Sequence, residues 1–214
     1  KQLFQGILEA IGLDPNLLFS VLDWVDADDQ TERESGAESE FYLGLRPPYQ
    51  PRQGPFLSLE EVRLVRGFEA LRPPEWDAFR SIVTVLPNRE LKINVNTAPE
   101  LLLVAMFGAF GDPAIGQSLI SSRGEHPIVS PAELSQIPGM SQLPPMVTSQ
   151  VLSVRSTIFT IHAFGTAGDV RKGIAVTVDR AAGGTRLRTL GRRQEVAPFV
   201  LTAAGASGEI PPLP

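Results

Sequence analysis

The sequence predicts an α+β protein with its helices first and its strands last. Apolar residues recur at helical spacing through roughly the first 154 of 214 residues, and beyond them the period drops to two. Nineteen prolines and nineteen glycines fall mostly between the periodic segments, which makes the fold loop-rich. A hydrophobic content of 43% against 20% charged residues is enough to bury a core, and the length allows one or two packed bodies.

The chain opens directly into an amphipathic helix over residues 2 to 12 (Leu3, Phe4, Ile7, Leu8, Ile11), the pattern expected of a segment belonging to a longer protein. Asp14-Pro15 signals a second helix, Asp14 as N-cap and Pro15 at its first position, carrying Leu17, Leu18, Val21, Leu22 and Val25. An acidic loop over 23–40 follows, then a proline-rich stretch (Pro47, Pro48, Pro51, Pro55) that Tyr42, Tyr49 and Phe56 pin to the body. Ser58 and Glu61 form a capping box for a helix ended at Gly67. Helices are expected over 74–85 and 100–107, the latter fed by the turn Asn94-Val95-Asn96-Thr97-Ala98-Pro99, with shorter ones over 113–123, 130–137 and 144–154 and caps near Ser130 and Ser141. In the strand region Phe159, Ile161 and Ala163 share one face, Ile158, Thr160, His162 and Phe164 the other, and Ile174, Val176 and Val178 repeat the alternation. Turns near Gly168-Asp169 and at Ala182-Gly183-Gly184 give an antiparallel sheet of about three strands, the last over 185–190. The expected organisation is a mainly helical region over 1–154, strands over 155–196 and an adaptable tail over 197–214.

Charge is unevenly placed. The net charge is −5 and the isoelectric point about 5.1. Residues 23–40 hold eight acids against the single base Arg33, a local charge of −7, whereas from residue 151 onward eight bases oppose four acids. An acidic chain is a poor nucleic-acid binder, since phosphates demand clustered Lys and Arg. Leu64-Val65-Arg66-Gly67-Phe68 and Ile137-Pro138-Gly139-Met140 resemble the glycine turns of helix-hairpin-helix DNA modules, but around Gly139 no Lys or Arg lies between Arg123 and Arg155. With no cysteine, thiolate metal sites and thiol nucleophiles are excluded. His126 and His162 stand apart without zinc-binding spacing, and no phosphate loop or Gly-x-Ser-x-Gly motif points to catalysis, so no catalytic residue is expected.

Three stretches in fixed order resemble one family. They are Leu22-Asp23-Trp24-Val25-Asp26-Ala27-Asp28 leading to Gly36-Ala37-Glu38 and Phe41-Tyr42; Pro55-Phe56 with Glu60-Glu61-Val62-Arg63-Leu64-Val65-Arg66-Gly67; and Ile93-Asn94-Val95-Asn96-Thr97-Ala98-Pro99. Together they resemble the K-type minor pseudopilins of the type II secretion system, over roughly residues 15 to 160. The resemblance implies a pilin-like antiparallel sheet interrupted by a large helical insertion akin to SAM-like or helix-hairpin-helix domains, with a membrane-anchoring helix and a first strand lying before Lys1. It also implies a non-enzymatic protein of the periplasm, anchored in the inner membrane. Such a protein caps the pseudopilus tip in a heterotrimer with I- and J-type minor pseudopilins, with exported substrates as further contacts.

Closely spaced carboxylates on a loop suit calcium, which takes six to eight oxygen ligands. Set against the EF-hand pattern, Asp26 and Asp28 fit positions one and three, but Thr31 stands where glycine is required and Glu38 falls one place late. The loop is therefore no EF-hand, and the residues alone leave a merely solvated acidic loop as the alternative. The resemblance implies structural Ca2+ here, held by Asp26, Asp28 and Glu38 with Glu34 as an additional ligand, tying down a loop that has few apolar side chains of its own.

Overall fold

A computed structural model of the chain describes residues 1–86, 91–168, 170–180 and 187–195. It separates into two compact units, Lys1–Ser156 and a second beginning at Thr157.

The first unit is helical: α1 (Gln2–Ala10), α2 (Leu17–Val25), α3 (Ser39–Leu43), a 3-10 turn (Glu60–Leu64), α4 (Pro73–Ile82), α5 (Glu100–Ala109), α6 (Pro113–Glu125) and α7 (Pro131–Leu134), with a wide helical turn at Val147–Val151. Two apolar clusters fill it. One gathers Leu103, Met106, Phe107, Ile115, Leu119, Ile137 and Val147 around α5 and α6. The other joins Leu8, Trp24, Tyr42, Val65, Phe68 and Phe79. Helix α1 serves both, sending Leu3 to the first and Leu8 to the second.

Several boundaries shift from the sequence expectation for identifiable reasons. Helix α2 starts at Leu17 because Asp14 spends its carboxylate on the amide of Asn16 (2.8 Å), closing a turn ahead of the helix. Residues 39–43, read from sequence as part of the loop, form α3. The Glu61 amide donates to Ser58 Oγ (3.3 Å), but the Glu61 carboxylate turns into the interior instead of completing a capping box, and only a 3-10 turn forms. The carboxylate half of such a box occurs at α4, where the Arg72 amide donates to Glu75 Oε2 (2.8 Å). Ser141 caps nothing; it lies within a 3-10 turn, Met140–Gln142, entered through Gly139 at φ +82°. Ser130 does cap α7, accepting from the Glu133 amide.

The Asn94–Pro99 motif is more than a turn. Ile93–Asn94 (β1) pairs in parallel with Leu152–Ser153 (β2), so the two ends of the α5–α7 region close on each other. Asn96 locks this closure: its Oδ1 accepts from the Ile128 amide (2.9 Å), and its Nδ2 donates to the carbonyls of Ile128 (2.9 Å) and Val154 (3.3 Å). The Arg123 guanidinium donates to the carbonyls of Val95 and Ala98 beside it.

The second unit is an antiparallel sheet in the order β3 (Ile158–Ala167), β4 (Val170–Asp179), β5 (Arg188–Glu195). Its register puts Phe159 opposite Val178, Ile161 opposite Val176 and Ala163 opposite Ile174, the shared face read from sequence. Asp169 and the Ala182–Gly184 turn lie outside the described residues, as does the tail over 197–214; the third strand runs to Glu195, beyond the expected 185–190. Strand β3 departs from half-burial: Phe159, Ile161 and Phe164 are all exposed, and the Arg180 guanidinium lies over the Phe159 ring, 5.1 Å from its centroid.

Candidate metal site

The end of α2 turns a polar edge toward the acidic loop. Asp23 and Asp26 are three residues apart, so they lie on one side of the helix. Asp23 is completely buried, although its neighbour Trp24 is a core residue. The loop then returns over this helix end. Gly36 passes so close to Asp23 that a Cβ at that position would stand 2.0 Å from Asp23 Oδ2, and only glycine fits. Two residues later Glu38 occupies the N-cap of α3 with extended backbone (φ −110°, ψ −172°). Its carboxylate does not cap the helix but reaches the α2 pair. Oxygens of Asp23, Asp26 and Glu38 all lie within 4.8 Å of one another.

Four oxygens in this group, Asp23 Oδ2, Asp26 Oδ1 and both of Glu38, are buried without a hydrogen-bond partner. Buried polar atoms are ordinarily paired, and an unpaired one costs about 1–3 kcal/mol, more when charged. Burial raises the Glu38 carboxyl to about 7, and the negative charges of Asp23, Asp26, Asp29 and Asp28 push in the same direction. Asp26 is raised by burial and then by Asp28 and Asp23. Asp23 is raised chiefly by burial, against the opposing bonds from the amides of Glu32 and Ala37. Such a group accepts either protons or a hard cation. Oxygen-only ligands at a partly open helix end match the chemistry of Ca2+, so the residues fit the ion the resemblance implies.

Of the four residues named from sequence, Asp26 and Glu38 come together. Asp28 is exposed and uses Oδ1 to accept from the Gln30 amide (2.9 Å), so it contributes charge near the group without joining it. The Glu34 side chain is exposed. Asp29, also outside the group, accepts from the Ser39 amide (3.2 Å) and pins the start of α3. The residue that sequence reasoning passed over is Asp23. Its signal was present: an Asp three places before Asp26, inside the apolar run Leu22 to Val25, where a helix would bury it.

The neighbouring acid Glu61 shows the opposite treatment. Burial alone would raise it, but bonds from Arg52, the Leu57 amide and Trp24 Nε1 (3.0 Å) outweigh that and hold it below the usual carboxylate range. Trp24 in turn packs edge-on to Tyr42 and parallel to Phe56, so the expected aromatic pins of the loop converge on the helix that carries the site. The glycine turns that resembled DNA-binding hairpins are packed inward, Gly67 against Leu17 and Gly139 against Ile115.

Fold and site together define an α+β protein carrying a buried carboxylate group suited to a hard cation. Two family models, both described as type II secretion system protein K, match residues 1–88 and 93–155. The chain belongs to the type II secretion system protein K family. It is 31% identical to the type II secretion system protein K of Aeromonas hydrophila over 182 residues, 80% of this chain and 50% of that protein. It is 26% identical to that of Pseudomonas aeruginosa over 193 residues, 88% of this chain and 55% of that protein. The chain thus spans about half the length of the curated relatives it matches. Its fold is similar to a chain in the crystal structure of the GspK-GspI-GspJ complex from enterotoxigenic Escherichia coli, with a TM-score of 0.72 over 92% of this chain and 70% of that one, at 17% identity. Among the described residues no helix is long and apolar enough to cross a membrane.

Proposed function

We propose that this chain is part of a minor pseudopilin that caps the type II secretion pseudopilus together with I- and J-type partners, with no catalytic role. In this reading it sits in the periplasm, anchored in the inner membrane through sequence preceding Lys1, and supports protein export across the outer membrane. Family membership and the fold shared with a chain of the GspK-GspI-GspJ complex support it. The exposed apolar face of the sheet, with Phe159 and Ile161, suits a pilin-like fold in which an N-terminal helix covers the strands. The SAM-like or helix-hairpin-helix description of the helical unit belongs to the same reading.

The observation that carries the site's part is the set of four buried, unpaired carboxylate oxygens on Asp23, Asp26 and Glu38. They would hold a structural Ca2+, whose binding free energy stabilises the acidic loop. The dense charge of Asp28 and Glu34 would then contribute attraction at longer range, with Asp23 replacing them as a direct ligand. Co-expression of the full-length protein with its I- and J-type counterparts, followed by size-exclusion chromatography with calcium and with chelator, tests both parts. A ternary species stabilised by calcium is expected. Failure to co-elute under either condition would sink the tip-complex reading, and indifference to chelator the structural-calcium reading.

A further inference from the structure

The loop that leads to Glu38 is bonded through its backbone carbonyls by side chains that carry no negative charge. Arg66, at the end of the segment containing the 3-10 turn, donates from Nη1 to the carbonyl of Gly36 (2.7 Å) and, at 3.5 Å, to that of Glu34. Its guanidinium lies over the Phe41 ring, 4.9 Å from the centroid, and its own amide donates to the Tyr42 hydroxyl (3.2 Å). Ser20 of α2 donates from its hydroxyl to the carbonyl of Ser35 (2.8 Å). Three successive carbonyls, 34 to 36, are therefore taken by side chains from two separate segments, α2 and the stretch after the 3-10 turn. Immediately beneath them Gly36 presses on Asp23, and Glu38 follows two residues on. A guanidinium beside a strongly acidic loop would ordinarily seek a carboxylate. Here the bonds from Nη1 go to carbonyls, which shapes the turn and leaves the carboxylate oxygens of Asp23, Asp26 and Glu38 unneutralised.

We propose that Arg66 is a positioning residue for the cation site: by holding the carbonyls of Glu34 and Gly36 it fixes the turn that delivers the Glu38 carboxylate to Asp23 and Asp26. The role rests on the calcium reading above. Groups behind metal ligands set ligand geometry, and their loss commonly weakens binding by about 10- to 100-fold.

The test is calorimetric titration of the 214-residue chain with calcium chloride, alongside Arg66→Met and Arg66→Lys, combined with amide hydrogen exchange in chelator. Methionine keeps an apolar stem against Phe41 and removes the donors; lysine restores the charge and one donor nitrogen without the planar fork. Arg66→Met should weaken calcium binding by about 10- to 100-fold, with protection lost over residues 32–38 and kept in α5 and α6, and Arg66→Lys should recover part of the affinity. Binding within about twofold of the unsubstituted chain in Arg66→Met would overturn the role. So would an affinity loss that comes with lost protection across α5 and α6, since that is general unfolding. Absence of calcium binding by the unsubstituted chain would instead remove the cation reading itself, and Arg66's role with it. Gly36→Ala supplies a check from the opposite side. A Cβ there displaces the Asp23 carboxylate, so it should weaken calcium binding even with Arg66 intact.

Discussion

Asp23, Glu38 and Glu61 are all buried acids of one helical unit, and their surroundings set them apart. Glu61 is satisfied by three donors; the other two face each other and Asp26 with oxygens unpaired. Removing charge from an unneutralised group relieves repulsion, so Glu38→Gln in chelator at pH 8 should stabilise the chain by about 1–3 kcal/mol, seen as a higher melting temperature, while abolishing the rise on adding calcium. A lower melting temperature in chelator would mean that the carboxylate is satisfied by something other than a cation. The pH dependence has a definite sign. Glu38 is raised from 4.5 to about 7 on folding, so its contribution is fully present below about 4.5 and is lost as pH climbs through about 7. Without calcium the melting temperature should therefore fall between pH 5 and 8, with the raised Asp23 and Asp26 adding in the same direction at the acidic end. Calcium needs the deprotonated carboxylates, so the increment it adds should grow over the same range. A metal-free melting curve that is flat or rising between pH 5 and 8 would contradict this.

Among the elements, α1 and α5 meet at a contact only glycine allows. A Cβ on Gly6 would lie 2.5 Å from Ala109 Cβ and 3.2 Å from the Ala105 carbonyl. Gly6→Ala gains about 1 kcal/mol of helix propensity, yet overpacking costs about 1–3 kcal/mol. Because one of the two obstructing groups is backbone, the cost wins, and the melting temperature should drop by about 2–4 °C per kcal/mol of net loss. A rise would show that the helices separate at little cost. The β1–β2 closure makes a second case. Asn96→Ala would strand the amide and carbonyl of Ile128 together, and should cost about 2–4 kcal/mol in urea unfolding at an unchanged slope. A loss under 1 kcal/mol would mean that water replaces the amide. These elements also mark what sequence can reveal. Helices α1, α5 and α6 follow from local periodicity and were legible, as was the aromatic anchor Trp24, whereas the half-burial read from the strand alternation fails in β3, which is exposed along nearly its whole length. The parallel pairing of Ile93 with Leu152 joins residues remote in sequence, which no local pattern encodes. The site was legible as a region, with Asp26 and Glu38 placed together. Asp23 was missed because an acid within an apolar run reads as the solvated side of a helix until the returning Gly36 buries it.

At the scale of the molecule, the helical unit contains its own two cores, whereas among the described residues of the sheet strand β3 exposes apolar side chains. Phe159 is 39% and Ile161 50% exposed, opposite the buried Val178 and the half-buried Val176 of β4. Soluble proteins seldom leave β-branched and aromatic side chains grouped in this way without a covering element. In the pilin-like reading the cover is the helix encoded before Lys1, and the two lengths of chain should then respond differently to the same substitution. Ile161→Lys in the 214-residue chain places a charge on an exposed position, and should change stability by no more than about 0.5 kcal/mol while reducing self-association at high concentration. In the longer protein the same lysine would be driven beneath a packed helix, where burying an unpaired charge costs several kcal/mol. Thermal unfolding of both lengths, each with and without Ile161→Lys, separates the possibilities. A destabilisation confined to the longer protein is the expected result. An equally small effect in both would mean that the preceding segment leaves this face open, and that its partner lies in another chain.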